Sequence, residues 1–213
     1  MTDEPDFSML PQQEFDWMYS VYGDVKELIP IDAPEPLGKY VTTLTYKDAN
    51  LLHDLITGQS LMGIMHFLNK TPIDYFSKKQ STVETATYGS EFVTARTATE
   101  QIMDLRLTLR YLGVPLREVS YLFGDNKAVV DSSTFPHSKI HKRHMALSFH
   151  RVREAMASGM LYFGFIDGSI NPADILSKHW GYQQVKEMIQ HLLLRACPTR
   201  PSRQEGSNKI PTR

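Results

Sequence analysis

Two aspartates stand where strand-like segments end, a position at which a carboxylate can meet a ligand. Asp48 follows KYVTTLTY (residues 39–46), and Asp125 follows VSYLFG (residues 119–124). In an open α/β sheet, ligands bind beyond the carboxyl ends of the strands. Taken alone, the Gly-Asp-Asn sequence at 124–126 is better explained as a turn, because Gly and Asx residues suit turns.

Two further acids lie on predicted helices. Glu91 occupies the apolar stripe of a long helical pattern, where a carboxylate is costly unless it is protonated, paired or bound to metal. The alternative is that it lies near the helix start and reaches solvent. Asp174 falls at the third position of a helix opened by Asn171 and Pro172, where an acid also interacts favourably with the helix dipole.

If these four carboxylates converge, they repel one another unless divalent cations neutralise them. A ligand set of oxygen atoms without cysteine favours Mg²⁺ or Mn²⁺ over zinc. Two such ions, about 4 Å apart, activate water and stabilise the leaving oxygen in phosphoryl transfer. The four acids therefore predict a site for two Mg²⁺ ions, with Mn²⁺ as a substitute, in a phosphoryl-transfer enzyme.

The segments that must position these acids predict an α/β fold with a mixed five-stranded sheet flanked by helices. The strand-like segments are residues 39–46, 60–69, 73–79, 119–124 and 160–166. Apolar residues spaced by three and four predict helices over 91–112 and 145–156, and a last helix starts at Asn171. Strands joined through helices pair in parallel, whereas the leading hairpins are antiparallel.

Charge is unevenly distributed along the 213 residues, and it predicts one folded domain between two extensions. Residues 1–39 hold nine acidic and two basic side chains, and we expect a flexible N-terminal extension there. The domain is expected over residues 40–194, with a basic, disordered tail over 195–213. A single cysteine excludes an internal disulfide framework, and no apolar run is long enough to span a bilayer. The chain is expected to be soluble and intracellular, without a membrane partner.

At these acids the chain resembles the RNase H domain of copia-type retrotransposon polyproteins. The resemblance is carried by SKKQSTVETATYGSEF, the pair Asp125-Asn126, HSKIHKRHMALSFHRVRE and NPADILSK, in that order between about residue 40 and residue 181. It implies the RNase H-like fold and a ribonuclease that degrades the RNA strand of an RNA–DNA hybrid. It also implies that Asp48, Glu91 and Asp174 join Asp125 as catalytic, metal-binding residues, the same four that the physical argument selects.

The sequence departs from that family at several positions. The family often has Cys where this chain has Gly124, Asp where it has Ala146, and a further Glu where it has Gly89. The first motif is the least literal match, so that Asp54 is a rival to Asp48. No polymerase motif occurs in the chain. It is thus expected to be the end of a polyprotein or a truncated reading frame. A reverse transcriptase domain is the expected partner. A virus-like particle or the nucleus are further expected locations.

The segment from His137 to Arg153 is rich in basic residues. We expect it to contact the phosphate backbone of an RNA–DNA hybrid. Such contacts make binding depend on salt, and they recognise the shape of the hybrid rather than its base sequence. The predicted nucleic-acid-binding residues are Lys139, Lys142, Arg143, Arg151 and Asn126. Two alternatives remain open: a solvated basic helix face, and a zinc site built from His137, His141 and His144.

Two other functions compete with the ribonuclease. One is a catalytically inactive remnant that supports a polymerase or only binds nucleic acid. The other is a different RNase H-like nuclease, such as a transposase or a resolvase. The order of the motifs disfavours the latter, because integrases space their acids differently. Cleavage of a labelled hybrid with and without Mg²⁺ would discriminate among them.

Overall fold

A single mixed sheet of five strands organises the computed structural model, which describes residues 5–11, 13, 16–140 and 143–193. The strands are β1 (Thr43–Asn50), β2 (Leu61–Leu68), β3 (Thr71–Lys79), β4 (Ser120–Gly124) and β5 (Leu161–Phe165). Their order across the sheet is β3-β2-β1-β4-β5. The pairs β1–β2 and β2–β3 are antiparallel, and β1–β4 and β4–β5 are parallel. The predicted fold class is therefore confirmed.

Within the described ranges, six α-helices accompany the sheet. They are α1 (Asp16–Tyr22), α2 (Thr87–Tyr111), α3 (Lys127–Thr134), α4 (Ala146–Ala157), α5 (Asp174–Ser177) and α6 (Tyr182–Leu193). No helix in the described ranges is long and apolar enough to cross a membrane.

The core lies between the sheet and the helices α2 and α4. The predicted apolar stripe of α2 contributes Ala95, Ala98 and Ile102, which are all buried. They pack in one cluster with Leu122 of β4 and Phe163 of β5. Burial of this stripe, at about 25 cal/mol per Å² of apolar surface, holds the 25-residue helix against the sheet. This packing also fixes the position of Glu91, which begins the same apolar stripe, relative to the strands.

Two predicted element boundaries were wrong at the points where the acids lie. The first strand runs over 43–50 rather than 39–46, so that Asp48 lies inside it and pairs with Gly63 of β2. The last helix was expected to begin at Asn171, but α5 begins at Asp174 and is only four residues long. In both places pairing and packing with neighbouring elements override the local propensity of the sequence.

The described part of the acidic stretch 1–39 lies against the domain. Met18 of α1 is 1% exposed and belongs to the main core cluster. Phe7 stacks on Tyr121 with ring centroids 3.9 Å apart. Glu27 binds both Arg106 and Arg110 of α2, each at 2.7 Å. The division of the chain at residue 40 stays a prediction, and the tail over 195–213 lies outside the described residues.

Candidate active site

Three of the four predicted acids meet at one point. Asp48, Asp125 and Asp174 each offer a carboxylate oxygen, and these atoms lie within 4.8 Å of one another. Asp48 and Asp174 are buried, whereas Asp125 is half-buried. The cluster lies beyond the carboxyl end of β4, beside the carboxyl-terminal half of β1, where an open sheet of this kind binds ligands.

Asp125 lies at the end of a strand and also in a turn, so the two interpretations of the Gly-Asp-Asn sequence are compatible. β4 ends at Gly124, and Asn126 caps α3 by accepting a hydrogen bond from the Val129 amide at 3.2 Å. A capping Asn is a common way to begin a helix directly after a turn. Asp125 lies between strand and cap, and the turn thereby directs its carboxylate toward Asp48.

Asp174 is placed by a buried asparagine in the preceding loop. Asn171 is 1% exposed, donates a hydrogen bond to the carbonyl of Lys47 at 3.0 Å, and accepts one from the Ala173 amide at 3.1 Å. The loop is therefore attached to β1 next to Asp48. Gly63 permits this close approach, because a Cβ there would lie 2.6 Å from the carbonyl oxygen of Ala173.

Glu91 does not join the three aspartates but forms an ion pair with Lys47. The side chains of Lys47 and Glu91 are 0% and 3% exposed, so both charges are almost wholly removed from water. The Lys47 ammonium also donates to the main-chain carbonyl of Glu91 at 3.4 Å. An enclosed pair of this kind is costly to break, because either partner alone would be a buried, uncompensated charge.

Burial and repulsion by neighbouring carboxylates raise the pKa of three of these acids, Glu91, Asp174 and Asp125. Burial raises the pKa of Glu91 to about 7, although Lys47 opposes this shift. Burial likewise raises the pKa of Asp174 to about 6, with Lys178 opposing and Asp48 reinforcing the shift. For Asp125, burial and the neighbouring charge of Asp48 raise the pKa. Carboxylates that resist ionisation together are typical of a site that holds cations.

A second lysine, Lys178, contacts the aspartate cluster itself. Lys178 binds Asp174 at 2.7 Å, and its ammonium is 3.6 Å from Asp48. Burial alone would lower the pKa of Lys178, but hydrogen bonding to Asp174 and the charges of Asp48 and Asp125 raise it. Ser177 donates a short hydrogen bond to Asp48. Lys178 thus offsets part of the negative charge that the aspartates concentrate.

The rival candidate Asp54 lies outside the cluster. Its carboxylate binds Lys79 at 2.7 Å and accepts hydrogen bonds from the amides of Ile56 and Thr57 in its own loop. These contacts give Asp54 a role in the loop after β1. The geometry therefore favours Asp48 as the first acid of the site.

Glu84 takes up the space beside Gly89, the position at which the resembled family often carries a further Glu. A Cβ at residue 89 would meet the Glu84 carboxylate, whose Cδ lies 3.1 Å away. Glu84 is 2% exposed and pairs with His144 at 3.2 Å. A buried carboxylate is thus retained near the start of α2 although residue 89 has no side chain.

The basic segment is divided between two parts of the molecule. Arg143 and Lys139 are exposed, and His144, next to Arg143, contacts Glu84 near the start of α2. Arg151 instead pairs with Glu154 and lines a groove with Met160, which directly precedes β5. Because β4 and β5 are parallel, this groove lies at the end of the strands opposite to the acids.

The other residues of the segment, and Asn126 outside it, have different surroundings. Arg153 is 3% exposed and lies over the rings of Trp17 and Phe149, at 4.1 and 4.7 Å, so it supports the core. Asn126 is engaged as the cap of α3. Lys142 and His141 lie outside the described residues. Among the residues that the structure does describe, the group close enough to hold a metal consists of aspartates and contains no histidine.

Sequence reasoning did not identify Lys47, Lys178, Ser177 or Asn171 as parts of the site. A detectable signal was the charge of Lys47 directly after the strand-like run Thr43-Leu44-Thr45-Tyr46. A charged residue in a strand that is covered on both faces requires a partner. Glu91 met the same criterion on the helix, but the sequence alone did not pair the two.

Comparison with known structures identifies the fold. The N-terminal RNase H domain of rv2228c from Mycobacterium tuberculosis matches with a TM-score of 0.50 and 12% identity, over 70% of this chain and 97% of that one. LC11-RNase H1, determined in complex with an RNA/DNA hybrid, matches with a TM-score of 0.50 and 16% identity, over 63% of this chain and 93% of that one. The fold is that of ribonuclease H.

Sequence relatives of this RNase H-like chain are retrotransposon polyproteins. The retrovirus-related Pol polyprotein from transposon TNT 1-94 of Nicotiana tabacum is 26% identical over 62% of the chain. Those from transposons RE2 and RE1 of Arabidopsis thaliana are 25% and 24% identical, each over 66% of the chain. The matched region spans 10% of each polyprotein. No protein-family model matches the sequence. The predicted resemblance to the RNase H domain of a retrotransposon polyprotein is confirmed.

Proposed function

We propose that the protein is a metal-dependent endoribonuclease that cleaves the RNA strand of RNA–DNA hybrids. The observation that carries this proposal is the convergence of Asp48, Asp125 and Asp174 within an RNase H-like fold. An inactive remnant would have little reason to keep three aspartates together, two of them buried, because each buried carboxylate reduces stability when no cation compensates it.

The three aspartates fit a hard divalent cation. Their carboxylates provide only oxygen ligands, and one oxygen atom of each lies within 4.8 Å of the others. Asp125 is partly exposed, so a cation can enter from solvent. Such a set suits Mg²⁺, with Mn²⁺ as a substitute. When bound, the metal supplies activation of water and stabilisation of the leaving oxygen. The second ion of the predicted pair would require Glu91, whose carboxylate is engaged by Lys47.

The substrate assignment depends on the basic residues around the acids. An anionic site repels nucleic acid unless cations neutralise the approaching phosphates. Lys178 lies at the cluster and is 38% exposed, and Arg143 and Lys139 are exposed on the segment that precedes α4. We assign these side chains to the phosphate backbone of the hybrid. LC11-RNase H1, which has the same fold, was determined with such a hybrid bound.

The relatives suggest the context of this activity. In a retrotransposon polyprotein, a ribonuclease specific for hybrids removes the RNA template from newly made DNA. We therefore propose a reverse transcriptase domain, on this chain's polyprotein or on another one, as the source of the hybrid substrate.

A cleavage assay tests the proposal. A 5′-labelled RNA strand is annealed to DNA and incubated with the protein in millimolar Mg²⁺, in Mn²⁺ and in a chelator. We expect cutting of the hybrid RNA with either metal and none in the chelator, while single-stranded RNA and duplex DNA survive. Asp125→Asn, purified identically, controls for contaminating nuclease. Binding of hybrid without cutting by the wild type in either metal would favour the inactive remnant.

A further inference from the structure

The ion pair between Lys47 and Glu91 is held in a space that fits the lysine closely. Lys47 of β1 lies opposite Gly124 of β4 in the parallel register. A Cβ at residue 124 would lie 3.0 Å from the Lys47 ammonium and closer still to its stem. The ring of Phe163 lies 5.8 Å from the ammonium on the β5 side. Lys47 is 0% exposed, so its charge has no contact with water.

The position of this ammonium matters because Glu91 is the fourth acid of the site. Lys47, its ion-pair partner, directly precedes Asp48 in β1 and lies opposite Gly124, the residue before Asp125. Glu91 is therefore held beside the strands that carry these two aspartates, whose charges help to raise its pKa. A second divalent cation could recruit Glu91 only by taking it from Lys47. That exchange would leave the lysine buried without a partner, which is strongly unfavourable.

We infer that the site binds one divalent cation, at Asp48, Asp125 and Asp174, and that the Lys47 ammonium occupies the place of a second. This inference rests on the metal site of the proposed function and concerns its stoichiometry. Charge balance supports it. Lys47 neutralises Glu91, and one divalent cation together with Lys178 neutralises the three aspartates. A second divalent cation would leave two uncompensated positive charges in a largely buried site.

Lys178 provides an internal comparison, because it also pairs with acids of the site but is placed differently. Its side chain is 38% exposed, and its ammonium binds Asp174 at 2.7 Å from the solvent side. Its ammonium can therefore turn toward water when a metal binds, while its positive charge stays beside the aspartates. Lys47 has no such alternative, and the two lysines should respond differently to removal.

Titration with Mn²⁺ tests the inference without any substrate. The full chain at about pH 8 is titrated while free Mn²⁺ is followed by electron paramagnetic resonance. We expect one bound ion for the wild type and two for Lys47→Met, which keeps the length of the side chain but removes its charge. Lys178→Met is the matched control: it should bind one ion, with a dissociation constant several-fold lower because a competing cation is gone.

A paired variant covers the case in which Lys47→Met fails to fold. Lys47→Met combined with Glu91→Gln replaces the buried ion pair by two neutral side chains of similar shape, which is generally tolerated. It should bind one Mn²⁺ with a dissociation constant within about twofold of the wild type. A large loss of affinity in this variant would show that Glu91 is a ligand of the first ion and would overturn the inference.

The other outcomes are equally decisive. Two ions, or none, bound to the wild type would overturn the inference, as would a single ion bound to folded Lys47→Met. Failure of the proposed function is distinguishable, because it is a failure to cut hybrid. A wild type that binds one Mn²⁺ without cutting would contradict the proposed activity and leave the stoichiometry standing.

Discussion

Gly124 and Lys47 lie opposite each other on neighbouring parallel strands, and the lysine fills the space in which a side chain at residue 124 would begin. The absence of a side chain at one position is thus what permits a buried cation at the other. This relationship connects a local feature of β4 to the ion pair with Glu91 and therefore to the charge of the site.

Gly124→Ala should destabilise the protein through Lys47. The new methyl group displaces the lysine from Glu91, and overpacking of this kind costs about 1–3 kcal/mol in the free energy of unfolding. Urea unfolding, followed by circular dichroism, measures the change. In a Lys47→Ala background the same substitution should cost much less, because its steric partner is gone.

Gly181→Ala is a suitable control for this substitution. A Cβ at residue 181 would lie 3.5 Å from the side-chain oxygen of Gln184, an ordinary contact near the start of α6. We expect a change below about 1 kcal/mol. Equal costs of Gly124→Ala in the wild type and in Lys47→Ala would contradict the steric coupling of the two residues.

Asp125→Asn should abolish hydrolysis and raise the melting temperature of the metal-free protein. The substitution removes a ligand from the aspartate cluster and, at the same time, relieves repulsion by Asp48. Differential scanning fluorimetry in a chelator and the hybrid assay measure the two effects. Asp104→Asn, on the exposed face of α2, is the control and should change neither. Unchanged activity in Asp125→Asn would remove this residue from the site.

Glu27 should make the stability of the protein depend on pH. Although burial opposes ionisation, Arg106 and Arg110 lower the pKa of Glu27 from 4.5 to about 2. A carboxylate whose pKa is lower in the folded state stabilises above its unfolded pKa and loses that contribution as the pH falls. Glu27→Gln should therefore cost about 1–2 kcal/mol near neutral pH, after allowance for solvent screening of this partly exposed group.

The stability difference at Glu27 should narrow as the pH falls from about 4.5 toward 2. Urea unfolding of wild type and variant at about pH 7, 4.5 and 3.5 measures it. Glu100→Gln is the control, because Glu100 forms an exposed pair with Arg96 on the same helix and should contribute little at any pH. A difference at Glu27 that stays constant over this range would exclude the predicted linkage.

The sheet and the convergence of three of the four acids could be predicted from sequence because both follow from local patterns. The stripe of Ala95, Ala98 and Ile102 has helical spacing, and Asp125 directly follows a strand. The partner of Glu91 could not be predicted in this way. Lys47 is 44 positions away, and its pairing depends on how β1 packs against α2. The sequence shows that a buried charge needs a partner, whereas only the packed structure shows which one.

The contacts of the N-terminal stretch illustrate the same limit. Acidic composition predicts an extension, since high net charge reduces the tendency to pack. Yet Glu27 lies between two arginines of α2, and Met18 fills a gap in the core. Composition averages over the segment and so gives no weight to a single apolar residue or to a single well-placed charge.

The last prediction separates the two parts of the basic segment. Arg143→Ala and Lys139→Ala should each weaken binding of hybrid with little dependence on its sequence, because their expected contacts are with phosphates. Each should also lower the slope of log K against log salt by about one unit. Arg151→Ala is the matched control within the same segment, since Arg151 lies beside Met160 at the opposite end of the strands and pairs with Glu154. Fluorescence anisotropy at several salt concentrations, with a labelled hybrid and Ca²⁺ in place of Mg²⁺, measures all three.

Because Lys142 is outside the described residues, its contribution stays a prediction, and Lys142→Ala belongs in the same series. If Arg151→Ala lowers the slope as much as Arg143→Ala does, binding extends over the whole segment and the division that the structure indicates does not apply to the complex.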